Sequence, residues 1–323
     1  MIGRKKRVLI VVPVSPSEPD YVIINSAECL KGIDLNDADS KVVYIIDLNN
    51  IYDLKKVRKV ECALKDLGFE IIRRKSRCGR KAGAINIVLD TFKSFDPDYV
   101  VIFDVDTRPA KNFVVECIKA LESDDDAYIA SAPRYVNNVN NTITEVISME
   151  YKMFNYLMSK FSFKNFNGPI GVIRADRMVR LNENSIAEDL DFSIRMYLKG
   201  YKSIFVKNSY IYEQAPMTWK DLLYQRRRWY YGGLQVLKDG MIFRNKKFAS
   251  KIVAITVLSH LPIFLLPFLI LLSPIILCKF KKLKLLFGFV TYLIVNQLAA
   301  ISSLCSFLMR REIEWRGVRR AKL

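Results

Sequence analysis

The stretch that decides the fold of this chain is YVVIFDVDTRP, residues 99–109. Five apolar or aromatic residues lead directly into Asp104, and Asp106 follows after one valine. A short run of this kind predicts a buried strand, and alternation along a strand would put both carboxylates on one face. Two neighbouring carboxylates repel each other unless a cation bridges them. The pair therefore predicts a site for a divalent ion, which would also bind a diphosphate.

Strand-like apolar runs alternate with helix-like segments over the first hundred residues. Strands are predicted at residues 8–14, 42–47 and 99–104, and helices at residues 21–30, 53–67 and 82–95. This order favours βαβ units and a mainly parallel sheet. Asp47 and Asp104 would then lie at the carboxyl ends of strands, where open α/β sheets bind ligands. Further helices are expected at residues 142–160, 188–199 and 218–237, with a short strand at residues 169–173.

The apolar content of the chain is concentrated towards its carboxyl end. The composition is 51% hydrophobic and 26% charged, yet residues 252–278 and 283–309 carry almost no charge apart from Lys284. Each stretch exceeds the roughly 20 residues that cross a bilayer as a helix, and three prolines in the first predict a kinked span. We expect a catalytic domain at residues 1–240 and a membrane region at residues 241–323, with about two hydrophobic helices and a basic tail.

Positive charge sets the expectations for partners and topology. The formal net charge of +18 suits anionic lipid headgroups, whereas no nucleic-acid module is recognisable, so nucleic acid is not an expected partner. No signal peptide is recognisable either, and an integral protein of the cell membrane with its catalytic domain facing the cytoplasm is expected. The lysines between residues 279 and 284 conflict with a simple two-helix hairpin. Either this loop violates the positive-inside tendency, or the proline-containing segment is re-entrant or lies in the membrane interface.

Histidine and cysteine usage narrows the chemistry. The six cysteines lie far apart without a C-x-x-C pair, which predicts reduced thiols rather than a zinc site or disulfide framework. His260 is the only histidine and lies in the apolar tail, which excludes a Ser/His/Asp triad. A carboxylate is therefore the expected proton acceptor. Asp189, within AEDLDF at residues 187–192, is the candidate general base, although a first-turn helix acid has the same sequence context.

A cationic and aromatic helix face follows at QRRRW, residues 225–229. Gln225, Arg228 and Trp229 are spaced to share one face. Arginine suits phosphate oxygens and tryptophan suits stacking on a sugar. The other two arginines are expected to point towards lipid or solvent, and a solvated basic helix is the alternative for the whole motif.

A second basic motif is RKAGAIN at residues 80–86. Its small residues permit close backbone approach at the start of a helix. Lys81 is placed there to reach a nucleotide or a phosphate.

The order of these motifs resembles the family 2 glycosyltransferases of the GT-A fold, in the branch with a D, D, D, QxxRW pattern. That branch includes cellulose and hyaluronan synthases and ceramide-glucosyltransferase-like enzymes. The matching positions are Asp47, KAGAIN at residues 81–86, DVD at residues 104–106, ED at residues 188–189 and QRRRW at residues 225–229. The resemblance covers residues 8–237. It implies a Rossmann-like α/β GT-A domain that binds a nucleotide-diphospho-sugar, here with a C-terminal helical membrane anchor.

The resemblance also implies roles for the matching residues. Asp47 would contact the nucleotide base or ribose, and Asp189 would be the catalytic base of an inverting, metal-dependent hexosyl transfer. Mn²⁺ or Mg²⁺ would be held by Asp106 and Asp104. The donor-binding set would be Asp47, Lys81, Asp104, Asp106, Gln225, Arg228 and Trp229. A UDP-sugar is expected in preference to a GDP-sugar, although the family's first Asp is often followed by Asp, Gly and Ser, whereas residues 48–50 here are Leu-Asn-Asn.

The acceptor has two candidate classes. Processive polysaccharide synthases enclose their polymer with several membrane helices, and about two helices would not let a monomer do so. Residues 313–317, IEWRG, resemble the WRG-type ending of lipid-directed relatives. A membrane lipid is therefore the favoured acceptor, and polymer synthesis by a homo-oligomer or with a partner subunit is the alternative. A third hypothesis is an inactive glycosyltransferase-like membrane scaffold. The presence of all the acidic positions argues against it.

Overall fold

A computed structural model describes residues 4–48, 53–75, 77–160, 171–240, 262–279, 281–313 and 320–321. The strands are β1 Arg7–Val14, β2 Asp39–Asp47, β3 Glu70–Arg74, β4 Tyr99–Ile102, β5 Arg108–Pro109, β6 Ala127–Ser131, β7 Arg134–Val136, β8 Gly171–Arg174, β9 Lys202–Phe205 and β10 Ile211–Glu213. The α-helices are α1 Asp20–Lys31, α2 Asp53–Asp66, α3 Arg80–Thr91, α4 Phe113–Glu122, α5 Thr142–Lys160, α6 Glu188–Leu198, α7 Trp219–Lys238, α8 Pro262–Lys279 and α9 Leu286–Leu308.

Seven strands form a central sheet in the order β3-β2-β1-β4-β8-β6-β9. Strand β1 pairs in parallel with β2 and β4, and β2 pairs in parallel with β3. Only β8 runs antiparallel to its neighbours, β4 and β6, so the prediction of a mainly parallel sheet is confirmed. Because the strand order reverses between β1 and β4, the carboxyl ends of β1, β2 and β4 border one crevice.

Helices cover both faces of the central sheet, which explains why its middle strands are apolar throughout. In β1, Val8, Ile10 and Val12 join a core cluster with residues of α1, α2 and α4. The alternate residues Leu9 and Val11 join the opposite cluster with residues of α3 and α6. The result is a three-layer α/β domain whose crevice is held by packing on both sides.

A smaller sheet has the strand order β5-β10-β7. It lies near the DVD turn, since the charges of Asp104 and Asp106 act on Glu213 of β10. Its first strand in the sequence, β5, starts at Arg108, two residues after Asp106. The predicted strand at residues 99–104 ends at Ile102, and Thr107 N donates to the Asp104 carbonyl at 2.9 Å, which makes DVD part of a turn. The strand therefore ends before Asp104, and the two aspartates lie in a turn instead of on one face of a strand. Phe103 and Val105 remain buried in the core, so the turn still separates apolar from acidic side chains.

Helix α9 lies along α7 and also contacts α5 and α8. Within the described residues, one helical stretch, Leu283–Leu308, is long and apolar enough to cross a membrane, and 44% of its most apolar window is buried in the protein. The apolar part of α8, Leu266–Lys279, is shorter. Of the first predicted span, residues 252–261 lie outside the described residues, as do residues 241–251 before it and Trp315-Arg316-Gly317. The number of membrane spans therefore stays a prediction.

The small residues of RKAGAIN allow the chain before α3 to approach the helix closely. Gly83 N donates to the Gly79 carbonyl at 2.8 Å. A methyl group added at Gly83 would overlap the Cys78 carbonyl oxygen and lie 2.9 Å from Arg74 Nη1. This approach fixes the position of Lys81 at the start of α3.

Gly83→Ala should therefore destabilise the protein. Overpacking of this kind costs about 1–3 kcal/mol in the free energy of unfolding, which denaturant unfolding followed by circular dichroism measures. Gly233→Ala in α7 is the matched control, because nothing lies within 4 Å of the added carbon there. Helix propensity alone should make the control neutral or more stable by up to about 1 kcal/mol. Equal changes in the two variants would contradict the tight approach at Gly83.

Candidate active site

Lys81 and the first carboxylate of the DVD turn form an ion pair in the crevice. Lys81 Nζ donates to Asp104 and lies 4.0 Å from Glu188 Oε1. Burial opposes the ionisation of Asp104, but Lys81 outweighs it and holds the pKa of this carboxyl below its usual range. Burial likewise acts against the charged Lys81, and the negative charges of Asp104 and Glu188 prevail and raise its pKa. The pair is therefore fully charged at neutral pH.

The ED pair opens helix α6 directly beside this ion pair. Burial, together with the negative charge of Asp189, raises the pKa of Glu188 to about 7. Asp189 Oδ1 accepts a hydrogen bond from Leu190 N at 2.8 Å, and its carbonyl accepts one from the Ser193 hydroxyl at 2.8 Å. Asp189 is therefore a first-turn helix acid, and the same position brings it close enough to Lys81 for its charge to raise the pKa of that ammonium.

Asn86, the last residue of KAGAIN, connects α3 to the loop that precedes the ED pair. Its amide donates to the Leu181 carbonyl at 3.0 Å and to Glu183 Oε1 at 2.9 Å, and its oxygen accepts from Leu181 N at 2.9 Å. Asn86 is buried. The motif thus positions both Lys81 and the start of α6.

The second DVD carboxylate pairs with a different cation. Asp106 Oδ2 accepts a hydrogen bond from Arg320 Nη1 at 2.5 Å. Arg320 also donates to both carboxylate oxygens of Glu18, at 2.7 and 2.9 Å. Glu18 lies in the loop between β1 and α1, at the carboxyl end of β1. The sequence motifs gave no sign of either partner.

Asp47 lies at the carboxyl end of β2, as expected, but its carboxylate holds an arginine. Arg74 Nε and Nη2 donate to its two oxygens at 2.6 and 2.7 Å, and the same guanidinium donates to the carbonyls of Cys78 and Arg80 at 2.8 and 2.7 Å. Asp47 also lines a shallow pocket with Val14, Ser15, Pro16, Glu18, Ile23, Ile46, Val57 and Val60. Asp47 and Glu18 therefore border the same small pocket.

QRRRW lies on α7, and its arginines have distinct roles. Arg226 is buried and donates through Nη1 and Nη2 to the Glu150 carboxylate at 2.9 and 2.5 Å. Arg227 donates to the Ser306 hydroxyl at 2.8 Å. The expectation that these two arginines point towards lipid or solvent is wrong, because α5 and α9 pack on the sides of α7 that carry them.

The predicted binding residues of QRRRW are divided between two environments. The charge of Arg228 acts on both Asp104 and Glu188, so this arginine faces the acidic cluster. The Trp229 ring lies 4.4 Å from the Arg226 guanidinium and is 39% exposed. Gln225 is half-buried on the same helix. Within the motif, therefore, Arg228 has the clearest link to the DVD turn, and one face of Trp229 is covered by a structural arginine.

A buried network that sequence reasoning missed borders the DVD turn from the small sheet. Arg134 Nη1 donates to Glu213 Oε1 at 3.4 Å, and the Tyr151 hydroxyl donates to Glu213 Oε2 at 3.3 Å. Burial raises the pKa of Glu213, which Arg134 opposes and the charges of Asp106 and Asp104 reinforce. These residues lie on β7, β10 and α5, far apart in sequence, and no local pattern marks them.

The donor set for a divalent ion is small. Among the described residues, no group of three or more histidine, cysteine, aspartate or glutamate side chains has an arrangement that could hold a metal ion. Magnesium-like ions in nucleotide-binding proteins commonly use one or two carboxylates and take other ligands from substrate phosphates and water. The two carboxylates of the DVD turn fit that minimal arrangement.

The fold belongs to a known class of glycosyltransferases. The chain is similar to the solved structure of mannosyltransferase PcManGT from Pyrobaculum calidifontis in complex with GDP-Man and Mn²⁺, with a TM-score of 0.66 and 18% identity, over 93% of this chain and 88% of that chain. At this identity the likeness shows the fold, which is the GT-A glycosyltransferase fold. The predicted fold class is therefore confirmed.

The chain belongs to glycosyl transferase family group 2, whose family model matches residues 99–304. It is 26% identical over 252 residues to "Probable glucomannan 4-beta-mannosyltransferase 7" of Oryza sativa subsp. japonica, which covers 73% of this chain and 42% of that protein. It is 27% identical over 257 residues to "Glucomannan 4-beta-mannosyltransferase 2" of Arabidopsis thaliana, which covers 74% and 47%. The chain thus spans less than half the length of these relatives. The predicted family is confirmed.

Glu188 should make the stability of the ligand-free protein fall as the pH rises. Its pKa is about 7 in the folded chain against an ordinary 4.5, so between these values the folded state retains a proton that the unfolded state has lost. The resulting stabilisation is complete below the ordinary pKa and is lost as the pH rises through the folded one. Thermal unfolding from about pH 5 to about pH 8 should show a smaller decline in Tm for Glu188→Gln than for the wild type. Asp176→Asn, at an exposed carboxylate, serves as the control, and parallel curves for wild type and Glu188→Gln would contradict the raised pKa.

Arg226 and Arg228 should respond differently to truncation. Arg226→Ala leaves the Glu150 carboxylate without its partner, and loss of one member of a buried pair costs about 3 kcal/mol or more. Arg228→Ala should cost less than about 1 kcal/mol in stability and should weaken nucleoside diphosphate binding. Denaturant unfolding and titration calorimetry measure the two effects. The assignment of Arg226 to stability and of Arg228 to nucleotide binding would be contradicted by either of two results. One is wild-type stability of Arg226→Ala, and the other is wild-type nucleotide affinity of Arg228→Ala.

Proposed function

We propose that the chain is an inverting glycosyltransferase that moves a hexose from a nucleotide-diphospho-sugar to a hydroxyl acceptor. The observation that carries the proposal is the charge pattern at the carboxyl ends of β1, β2 and β4. Two carboxylates of the DVD turn, the ED pair and the cations Lys81 and Arg228 meet in one crevice. A diphosphate with its counter-ion needs both signs of charge in this arrangement.

The donor would lie across the crevice with its base or ribose beside Asp47. The diphosphate would lie at the DVD turn, where Asp104 and Asp106 would hold Mn²⁺ or Mg²⁺ and Lys81 and Arg228 would supply further positive charge. A divalent ion held there would stabilise the charge that develops on the leaving diphosphate. Gln225 and Trp229 would line the acceptor side of the same site.

Asp189 is proposed as the general base. Its carboxylate takes the proton of the acceptor hydroxyl as the oxygen attacks the anomeric carbon. The bond from that carbon to the diphosphate oxygen breaks, and the nucleoside diphosphate leaves with the bonding electrons. Arg228 and Lys81 stabilise the negative charge on the leaving group through fixed positions that need no rearrangement. One displacement inverts the anomeric configuration.

A GDP-mannose-like donor is now the better supported choice. The similar proteins of Oryza sativa and Arabidopsis thaliana are named as mannosyltransferases, and the similar solved structure holds GDP-Man. The predicted preference for a UDP-sugar has no support from these comparisons. We therefore propose mannosyl transfer from a GDP-sugar as the first donor to test.

A membrane lipid remains the proposed acceptor. Exposed apolar side chains cover the outer surface of α8 and α9, namely Phe268, Leu271, Leu272, Ile275, Phe287, Ile294, Leu298, Ile301 and Leu308. Basic residues at both ends of α9, among them Lys282, Lys284, Arg310 and Arg311, suit anionic headgroups. These features support attachment of the catalytic domain to a membrane surface, and we propose the cytoplasmic face of the cell membrane as that surface.

A glycan acceptor, with polymer synthesis by an oligomer or with a partner subunit, is the second candidate. The names of the relatives favour it, since glucomannan is a polysaccharide. A tyrosine cluster at the small sheet also supports it: Tyr210 and Tyr212 are exposed and Tyr135 is half-buried, with ring centroids 5.3 to 6.4 Å apart. Aromatic rings of this kind offer flat surfaces on which sugars stack.

Asp189→Asn should lower transfer by about 10²–10⁴-fold while leaving nucleotide affinity nearly unchanged, because it removes the base and not the donor contacts. Purified protein with membrane lipids is supplied with labelled GDP-mannose and a panel of UDP-sugars. Product in the organic phase favours a lipid acceptor, and a high-mass product favours a glycan. Asp176→Asn removes one exposed carboxylate outside the proposed site and serves as the control, with transfer expected at the wild-type rate.

Turnover by Asp189→Asn at the wild-type rate would remove Asp189 from the mechanism. Absence of both transfer and donor hydrolysis by the wild type across the whole panel would instead favour the inactive scaffold.

A further inference from the structure

Arg320 carries a positive charge into the DVD turn from outside the motifs that define the site. Its guanidinium contacts one oxygen of Asp106 at 2.5 Å and both oxygens of Glu18 at 2.7 and 2.9 Å. The three side chains are 13%, 12% and 7% exposed, in that order. One positive charge therefore lies between two nearly buried negative charges, one of which is a proposed metal ligand.

Main-chain contacts hold Arg320 in this place. The Tyr21 hydroxyl donates to the Arg320 carbonyl at 3.2 Å. The Gln214 side chain accepts from Ala321 N at 2.9 Å and donates to the Ala321 carbonyl at 3.4 Å. Tyr21 belongs to α1 and Gln214 directly follows β10, so residues 320–321 are anchored on two walls of the crevice. These anchors distinguish the contact from a chance ion pair at the surface.

Arg320 and a divalent ion compete for Asp106. Arg320 already donates to one of the two oxygens of Asp106, and two cations at one carboxylate repel each other. If the bond to Asp106 is lost, the two bonds to Glu18 remain. Displacement therefore requires only that the guanidinium give up one of its three contacts.

We propose that Arg320 is an internal counter-ion that holds Asp106 until a divalent ion displaces it, with Glu18 retaining the displaced guanidinium. This inference rests on the proposed function, which assigns Asp106 as a metal ligand. In the nucleotide-free protein, Arg320 neutralises two carboxylates that would otherwise repel each other and lowers the affinity of Asp106 for the ion. The coupling is reciprocal, so binding of the ion loosens the Arg320–Ala321 segment.

Direct titration of the full chain with Mn²⁺, without nucleotide, tests the competition. Free Mn²⁺ is measured by electron paramagnetic resonance. Arg320→Gln should bind Mn²⁺ at least about tenfold more tightly than the wild type, the fold-change expected for removal of a competing charge-assisted hydrogen bond. Arg311→Gln, at an exposed arginine, removes the same charge elsewhere and should change the affinity little. Unchanged or weaker binding by Arg320→Gln would overturn the proposal.

A second variant covers the case in which Arg320→Gln does not fold. Gln214→Ala removes the two hydrogen bonds to the main chain of Ala321 without changing any charge. It should also increase the affinity for Mn²⁺, by a smaller factor than Arg320→Gln does. Hydrogen exchange of residues 320–321 in the wild type should increase when Mn²⁺ is added. Unchanged affinity in Gln214→Ala together with unchanged exchange would overturn the proposal.

Asp106→Asn in the Arg320→Gln background separates this proposal from the function on which it rests. Loss of Mn²⁺ binding in the double variant supports Asp106 as the metal ligand, whatever Arg320 does. Retention of tight binding there would instead contradict the metal site assigned under the proposed function. If Mn²⁺ affinity depends on Asp106 but does not change when Arg320 is replaced, the metal site stands and only the proposed counter-ion role of Arg320 is overturned.

Discussion

Neutralisation of charge at the carboxyl edge of the central sheet is the constraint on which the rest of the structure depends. Three aspartates come together there because β1, β2 and β4 are adjacent and parallel. Carboxylates withdrawn from water destabilise a fold unless each is paired. Each has its own cation from a different part of the chain, Arg74 for Asp47, Lys81 for Asp104 and Arg320 for Asp106. The ion pairs therefore bring β3, α3 and residues 320–321 to one edge.

The ED pair contains a carboxyl group whose charge is not fully neutralised by a neighbouring cation. Lys81 donates to Asp104 but stays 4.0 Å from Glu188. Burial and the neighbouring Asp189 then prevail, and the pKa of Glu188 rises to about 7 while that of Asp104 falls. Two carboxyls around one lysine thus differ in protonation at neutral pH, which limits the negative charge that must be buried beside Asp189.

Local sequence patterns predicted the parts of the fold and site that depend on near neighbours. Strand β1 and helices α1, α5 and α7 occur where apolar periodicity placed them. The edge strands β3 and β9 were missed because they bury few side chains and lack a continuous apolar run. The motif residues Asp47, Arg226 and Asp106 were identified, but their partners were not. Those partners, Arg74, Glu150 and Arg320, lie 27, 76 and 214 residues away along the chain. No local pattern contains contacts of that separation, which is also why Arg226 was assigned to solvent.

The same reasoning explains why the donor side of the reaction is easier to recognise than the acceptor. A diphosphate carries charge that only cations and metal-binding carboxylates can meet, so it leaves charged residues at fixed positions in the sequence. A hydroxyl acceptor needs one base and a surface of suitable shape, and many sequences provide such a surface. In this chain the surfaces that differ in chemistry are the apolar outer sides of α8 and α9 and the tyrosine cluster of the small sheet. The choice between lipid and glycan therefore depends on these two surfaces and not on the charged motifs.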